Sequence, residues 1–281
     1  MQHFVTDDGQ TIHVAVSGSG PPLILLHEWA SNHRVWNPIV RNLESRFTLY
    51  RWDARGHAAR PVTGTEPPTV ERMAKDLAAL IDHFALDRSV VVGHSMGVLI
   101  AWEYLTTFGS DRVAGLGVID QSPRLVTEGD WTLGIYYDWP AERDQAFVES
   151  MRQDFVEAVV RLVACGRNKA ARERFEARSD GLWRLRAAMA AVEPEPLIFI
   201  WQSLTAADYR PVLPRIDIPA LLVYGSESNF YGVETGEYVQ RAMPNARLVV
   251  YEGADHSPHL ADPKRFAAEL AGFASSVVGM R

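Results

Sequence analysis

The chain is expected to fold as an α/β protein with a mostly parallel sheet flanked by helices. Short apolar runs alternate with longer amphipathic ones, as in strands and helices wound around a common sheet. Most of the short runs are apolar throughout, which a sheet covered on both faces requires. In Val90-Val91-Val92-Gly93-His94-Ser95-Met96-Gly97-Val98-Leu99 the period changes from strand to helix across a glycine-flanked corner.

Seven runs read as strands: Thr11 to Val16, Leu23 to His27, Phe47 to Trp52, Ser89 to Gly93, Val113 to Asp120, Ala220 to Tyr224 and Arg247 to Tyr251. After Pro68, the residues Val70, Met73, Leu77, Leu80, Ile81 and Phe84 share one helical face, with Thr69 as N-cap and Glu71 in the first turn. A second helix opens at Asp262-Pro263 and is expected to bury Phe266, Leu270 and Phe273, with Asp as the cap and Pro at the first helical position. From Gln121 to Pro211 the alternation gives way to helical segments carrying Trp131, Tyr136, Tyr137, Trp139, Phe155, Trp183, Phe199 and Trp201. Strand patterning resumes at Ile218-Pro219, so residues 121–211 read as a lid inserted into a core of 1–120 and 212–281. Ligands of open α/β sheets bind at the carboxyl ends of the strands, where such a lid would lie.

Composition narrows the partners. The 281 residues are 47% hydrophobic and 22% charged, which is ordinary for a soluble globular protein. A net charge of -7, with no run of Lys or Arg, argues against nucleic acid or an anionic membrane. The single cysteine, Cys165, allows no intrachain disulfide. The amino terminus MQHFVTDDGQ lacks the basic and apolar regions of a signal peptide, and no apolar run is long enough to span a bilayer. The chain is expected to be cytoplasmic, a monomer or homodimer acting on a small apolar or aromatic molecule. The nine histidines show no H-E-x-x-H or H-x-x-E-H spacing, and no phosphate-cradling glycine loop precedes a lysine-bearing helix. No metal or other cofactor is expected.

Ser95 stands at the strand-to-helix corner. A lone G-x-S-x-G is a weak signal, because any glycine-rich turn can carry it. Here a β-branched strand precedes it and an apolar helix follows, the context in which the hydroxyl is exposed above the sheet. The amide of Met96, at the start of that helix, can then donate to an oxyanion. A serine needs a base to take its proton. His256, in Gly253-Ala254-Asp255-His256-Ser257-Pro258-His259, lies between a strand and a helix at the same sheet edge, whereas His259, at the exit of the loop, reads as structural.

Over nearly its whole length the chain resembles the α/β-hydrolase superfamily. The matching features are His27-Glu28-Trp29, Asp53-Ala54-Arg55-Gly56-His57, the GHSMG corner and GADHSPHL before the last helix. The resemblance implies an eight-stranded sheet with the lid after the sixth strand, Ser95 as nucleophile and His256 as base. It also implies an oxyanion hole formed by the amides of Met96 and of Glu28 or Trp29, with His94 beside it.

Two positions depart from the family pattern. Glu28 replaces the glycine usual in the oxyanion loop, and its side chain is expected to be a solvated loop carboxylate. Ser228 stands where the acid usually follows the strand ending near Tyr224, so the carboxylate that orients His256 must come from elsewhere. Asp120, at the end of the strand after the Ser95 helix, is the first candidate and Glu227 the second; Asp255, next to His256 in sequence, is poorly placed to meet its ring.

The expected chemistry is hydrolysis of an ester, lactone or related acyl compound through Ser95, His256 and Asp120. An alternative starts from Trp29-Ala30-Ser31-Asn32-His33-Arg34-Val35-Trp36 and the displaced acid, which resemble the cofactor-free 3-hydroxy-4-quinolone 2,4-dioxygenases. In that branch a His256/Asp120 dyad would deprotonate the substrate hydroxyl. A haloperoxidase-like perhydrolase would use the same triad, and a small-ligand receptor of this fold would bind without efficient turnover. Fold alone does not choose among them.

Overall fold

A computed structural model describes residues 1–177 and 180–279. Residues 178 and 179 of the expected lid, and 280 and 281 of the expected core, lie outside the described residues. The strands are β1 (Gln2–Val5), β2 (Thr11–Gly18), β3 (Pro22–Leu26), β4 (Thr48–Asp53), β5 (Ser89–His94), β6 (Val113–Ile119), β7 (Ala220–Gly225) and β8 (Ala246–Tyr251). They form one eight-stranded sheet in the order β1-β2-β4-β3-β5-β6-β7-β8. The β1/β2 and β2/β4 pairs are antiparallel and the others parallel. Strand ends differ from the sequence expectation by a residue or two, the usual uncertainty of an element's terminus. β1 is not among the seven expected strands: its burial pattern shows one buried residue, Phe4, too little for periodicity to register.

Helices α1 (Asn37–Leu43), α2 (Val70–His83) and α3 (Met96–Phe108) connect the first strands. Between β6 and β7 lie α4 (Ala141–Gln153), α5 (Phe155–Ala164), α6 (Lys169–Glu176), α7 (Asp180–Met189) and α8 (Pro194–Ala206). The chain finishes through α9 (Val233–Ala242), α10 (Pro258–Ala261) and α11 (Pro263–Val278). The Thr69 hydroxyl accepts from the Arg72 amide at 3.1 Å to cap α2, and the Asp262 carboxylate accepts from the Arg265 amide at 3.0 Å to cap α11. Phe84 and Phe273 are half-buried at the margins of the core rather than inside it.

Alternation along the central strands divides the core. Val90 and Val92 of β5 pack with Trp36, Phe266 and Leu270 on one face, and Val91 packs with Leu77, Leu99 and Trp102 on the other. Such a doubly covered sheet has its carboxyl ends as the open edge, and the β5, β6, β7 and β8 loops all emerge there.

At that edge His27 and His57 are buried with their rings edge-on, 4.9 Å apart. The Ala54 amide donates to His27 Nε2 at 3.1 Å, so the ring proton resides on Nδ1, 2.7 Å from the Glu28 carbonyl. Burial holds both imidazoles below the ordinary 6.5, and with the neighbouring His27 ring it brings His57 to about 3. The unfolded chain therefore takes up protons below pH about 6.5 that the folded chain refuses down to about 3, and stability falls as pH drops through that window. Urea unfolding midpoints measured from pH 7 to pH 4 are expected to decline, with a shallower decline for His57→Phe; equal slopes would contradict this assignment.

Candidate active site

Ser95 joins β5 to α3 with φ 51° and ψ −117°, a conformation that L residues rarely adopt and that costs on the order of 1–3 kcal/mol. Its neighbours make the corner possible. A Cβ on Gly93 would lie 2.4 Å from the Gly97 backbone, and one on Gly97 would lie 2.3 Å from the Leu26 carbonyl oxygen of β3. The Ser95 amide donates to the Ile119 carbonyl at 3.1 Å, which ties the corner to the end of β6. Met96 begins α3, where the first amides have no carbonyl of their own helix to bond.

Asp120 is the residue after β6, fully buried and itself at φ 46°. Aspartate is among the few non-glycine residues that visit this region readily. Its carboxylate accepts three hydrogen bonds: from the Gly225 amide at 3.1 Å, the Ser228 hydroxyl at 2.6 Å and His256 Nδ1 at 2.6 Å. Ser228, at the position where the sequence pattern leads one to expect an acid, thus binds the Asp120 carboxylate. The same hydroxyl oxygen accepts from the amides of Phe230 and Tyr231, each at 3.3 Å. Glu227 is exposed, and Asp255 accepts from the amides of Asn229 and His256, both at 2.7 Å, which staples two loops together.

Ser95 and His256 line one cavity of about 80 Å³ together with Glu28, Trp29, Met96 and Gln121. Apolar side chains close it: Leu99 from α3, Leu125 and Ile135 from the segment after β6, Leu162 from α5, and Trp201 from α8. Trp29 donates from Nε1 to the Leu197 carbonyl at 2.9 Å and packs on Trp201 at 5.1 Å, so the loop after β3 is bonded to the inserted helices.

Other parts of the structure depart from expectation. Of the inserted aromatics, Trp201 lines this cavity, whereas Trp183 and Phe199 are 69% and 44% exposed and face solvent. Tyr136 and Trp139 line a separate groove of about 470 Å³. The missing aromatic walls come from Phe230 and Tyr231, after β7; the Phe230 ring is 4.4 Å from that of His256. Their position in Ser228-Asn229-Phe230-Tyr231, just past the carboxyl end of a strand, was the available signal. Glu28 is not a freely solvated carboxylate, because its Oε2 lies 3.2 Å from Nδ1 of the buried His94. Burial opposes its ionisation, but the hydrogen bond and charge of His94 outweigh that and hold the carboxyl below its ordinary range. His33 bonds Asp53 at 2.8 Å within a 3-10 turn and is not among the residues lining the cavity; Trp29 is the part of that stretch that reaches it. His259 is fully buried against Trp36 and His94, and burial holds its ring neutral. No cluster of metal-ligating side chains occurs among the described residues, and none of their helices is long and apolar enough to cross a membrane.

A sharp strand-to-helix serine, a histidine from the last strand's loop and a buried acid at one sheet edge define an α/β-hydrolase architecture. A sequence model of the alpha/beta hydrolase fold family matches residues 21–263, and the chain belongs to that family. It is 28% identical over 94% of its length to the pimeloyl-[acyl-carrier protein] methyl ester esterase of Vibrio vulnificus strain YJ016, 98% of which is covered. The esterase of the same description from Sodalis glossinidius is 31% identical, over 89% of this chain and 92% of that one. In fold it resembles an esterase from Exiguobacterium antarcticum, with a TM-score of 0.83 and 22% identity over 97% and 98% of the two chains.

Gly97→Ala is expected to destabilise the chain by about 1–3 kcal/mol or more, since the rigid β3 backbone leaves no room for a methyl group. Gly272→Ala, in α11 with open space around it, should be neutral or stabilising by up to about 1 kcal/mol. Equal urea midpoints for the two variants would refute the packing argument.

Proposed function

We propose that the chain is a serine hydrolase of small carboxylic esters or lactones. The observation that carries this reading is the shared apolar cavity of Ser95 and His256, with His256 Nδ1 2.6 Å from buried Asp120. The esterase activity of its relatives supports the same class.

Ser95 Oγ attacks the carbonyl carbon while His256 Nε2 takes its proton. Asp120 accepts from Nδ1–H, which fixes the tautomer with a free Nε2 and stabilises the imidazolium as it forms. The amides of Met96 and of Trp29 or Glu28 hold the oxyanion. His256 then returns its proton to the departing alcohol. Water, deprotonated by the same nitrogen, attacks the acyl-serine and releases the acid. No cofactor takes part. In this reading residues 121–211 are the lid over a core of 1–120 and 212–281. The narrow cavity, walled by Trp201 and Phe230, favours a small apolar or aromatic acyl group.

Ser95→Ala and His256→Ala are expected to abolish hydrolysis of p-nitrophenyl butanoate, and Asp120→Asn to lower kcat on the order of 10⁴-fold by removing tautomer control. Glu227→Gln should stay within about twofold of the parent, since its side chain is solvated. A fluorophosphonate should label Ser95. Oxygen uptake with carbon monoxide release from a 3-hydroxy-4-quinolone, without labelling or ester turnover, would overturn this reading in favour of the dioxygenase.

A further inference from the structure

Among the described residues Glu28 is the one acidic side chain lining the cavity, and hydrolysis as derived above makes no use of it. Its partner, His94, is fully buried and uses both ring nitrogens. Nε2 lies 2.8 Å from the backbone carbonyl of His256, an atom that can only accept, so Nε2 carries a proton. Nδ1 faces Glu28 Oε2 at 3.2 Å, and that contact needs a second proton between the two atoms. The Glu28 carboxyl is held below its ordinary range by this contact, which leaves the proton on the Nδ1 side. The neighbouring His259 ring, at 4.6 Å, is held neutral by burial and does not supply the positive charge in its place.

We infer that Glu28 and His94 form a carboxylate–imidazolium pair that serves as a specificity site, accepting a hydrogen bond from a hydroxyl or N–H on the substrate close to its scissile carbonyl. This inference rests on the hydrolase reading above. Ser95 and Glu28 line the same cavity. Its wall is otherwise mostly apolar, and Gln121 Oε1 is already bonded by the Tyr231 hydroxyl at 3.1 Å. A bare carboxylate in the oxyanion loop would repel the negative charge that develops on the substrate oxygen. The imidazolium behind it cancels that charge while leaving an oxygen to accept from the substrate. A donor-bearing substrate satisfies this oxygen, whereas a purely apolar one strips water from it without replacement.

The test has two arms. In ¹⁵N-histidine-labelled protein at pH 7, with His94 assigned by its loss in His94→Asn, both His94 nitrogens should be protonated, and Glu28→Met should convert the ring to the neutral Nε2–H form. In parallel, kcat/KM is compared for p-nitrophenyl 3-hydroxybutanoate and p-nitrophenyl butanoate. The native protein should prefer the hydroxy ester by about tenfold, and Glu28→Met should abolish the preference, read as the ratio of the two kcat/KM values, while the exposed Glu227→Gln keeps it. A neutral His94 in the native protein overturns the ion pair. A preference absent from the native protein, or unchanged in Glu28→Met, overturns the specificity site. If neither ester is turned over and Ser95 resists fluorophosphonate, the hydrolase reading falls and takes the specificity claim with it, while the nitrogen spectrum still decides the ion pair.

Discussion

Asp120 is a carboxylate buried from solvent, and the candidate site is organised around satisfying it. An unpaired charge in such a position is expensive, and removing one partner of a buried pair commonly costs about 3–5 kcal/mol. Three donors meet the demand: the Gly225 amide at the end of β7, the Ser228 hydroxyl in the loop after it and His256 Nδ1 after β8. Each bond also fixes a position. Ser228 in turn accepts from the amides of Phe230 and Tyr231, which sets two walls of the cavity. The interaction that orients the histidine thus also shapes the pocket in front of it.

The serine is held to the same frame by backbone. Its amide bonds the carbonyl of Ile119, the residue before Asp120, and the ring of the preceding His94 bonds the carbonyl of His256. Strain at Ser95 and at Asp120 is supported by β3, β5, β6 and β7 hydrogen-bonded side by side, with core packed on both faces. The inserted helices close the cavity from the opposite side through Trp201 and Leu162, and Trp29 bonds them to the loop after β3.

Much of this was legible in the sequence because it rests on local rules. The continuous apolar strands, the Thr69 and Asp262 caps and the glycines around Ser95 each have a steric or hydrogen-bonding cause contained within a few residues. Asp120 could be named as a candidate because the usual acid position holds Ser228 and Asp120 ends the strand after the Ser95 helix. What escaped depends on packing between distant segments. β1 carries one buried side chain, and the outward turn of Trp183 and Phe199 follows from how the inserted helices pack, which aromatic content does not encode. Glu28 looked like a loop carboxylate because its partner, His94, lies 66 residues away in sequence.

Proton NMR reads the hydrogen bond between Asp120 and His256 directly. A strongly downfield imidazole N–H resonance from His256 Nδ1 should be present in the native protein and in Glu227→Gln, and absent from Asp120→Ala. Persistence of that resonance in Asp120→Ala, or its loss in Glu227→Gln, would show that Asp120 is not the partner of His256 Nδ1.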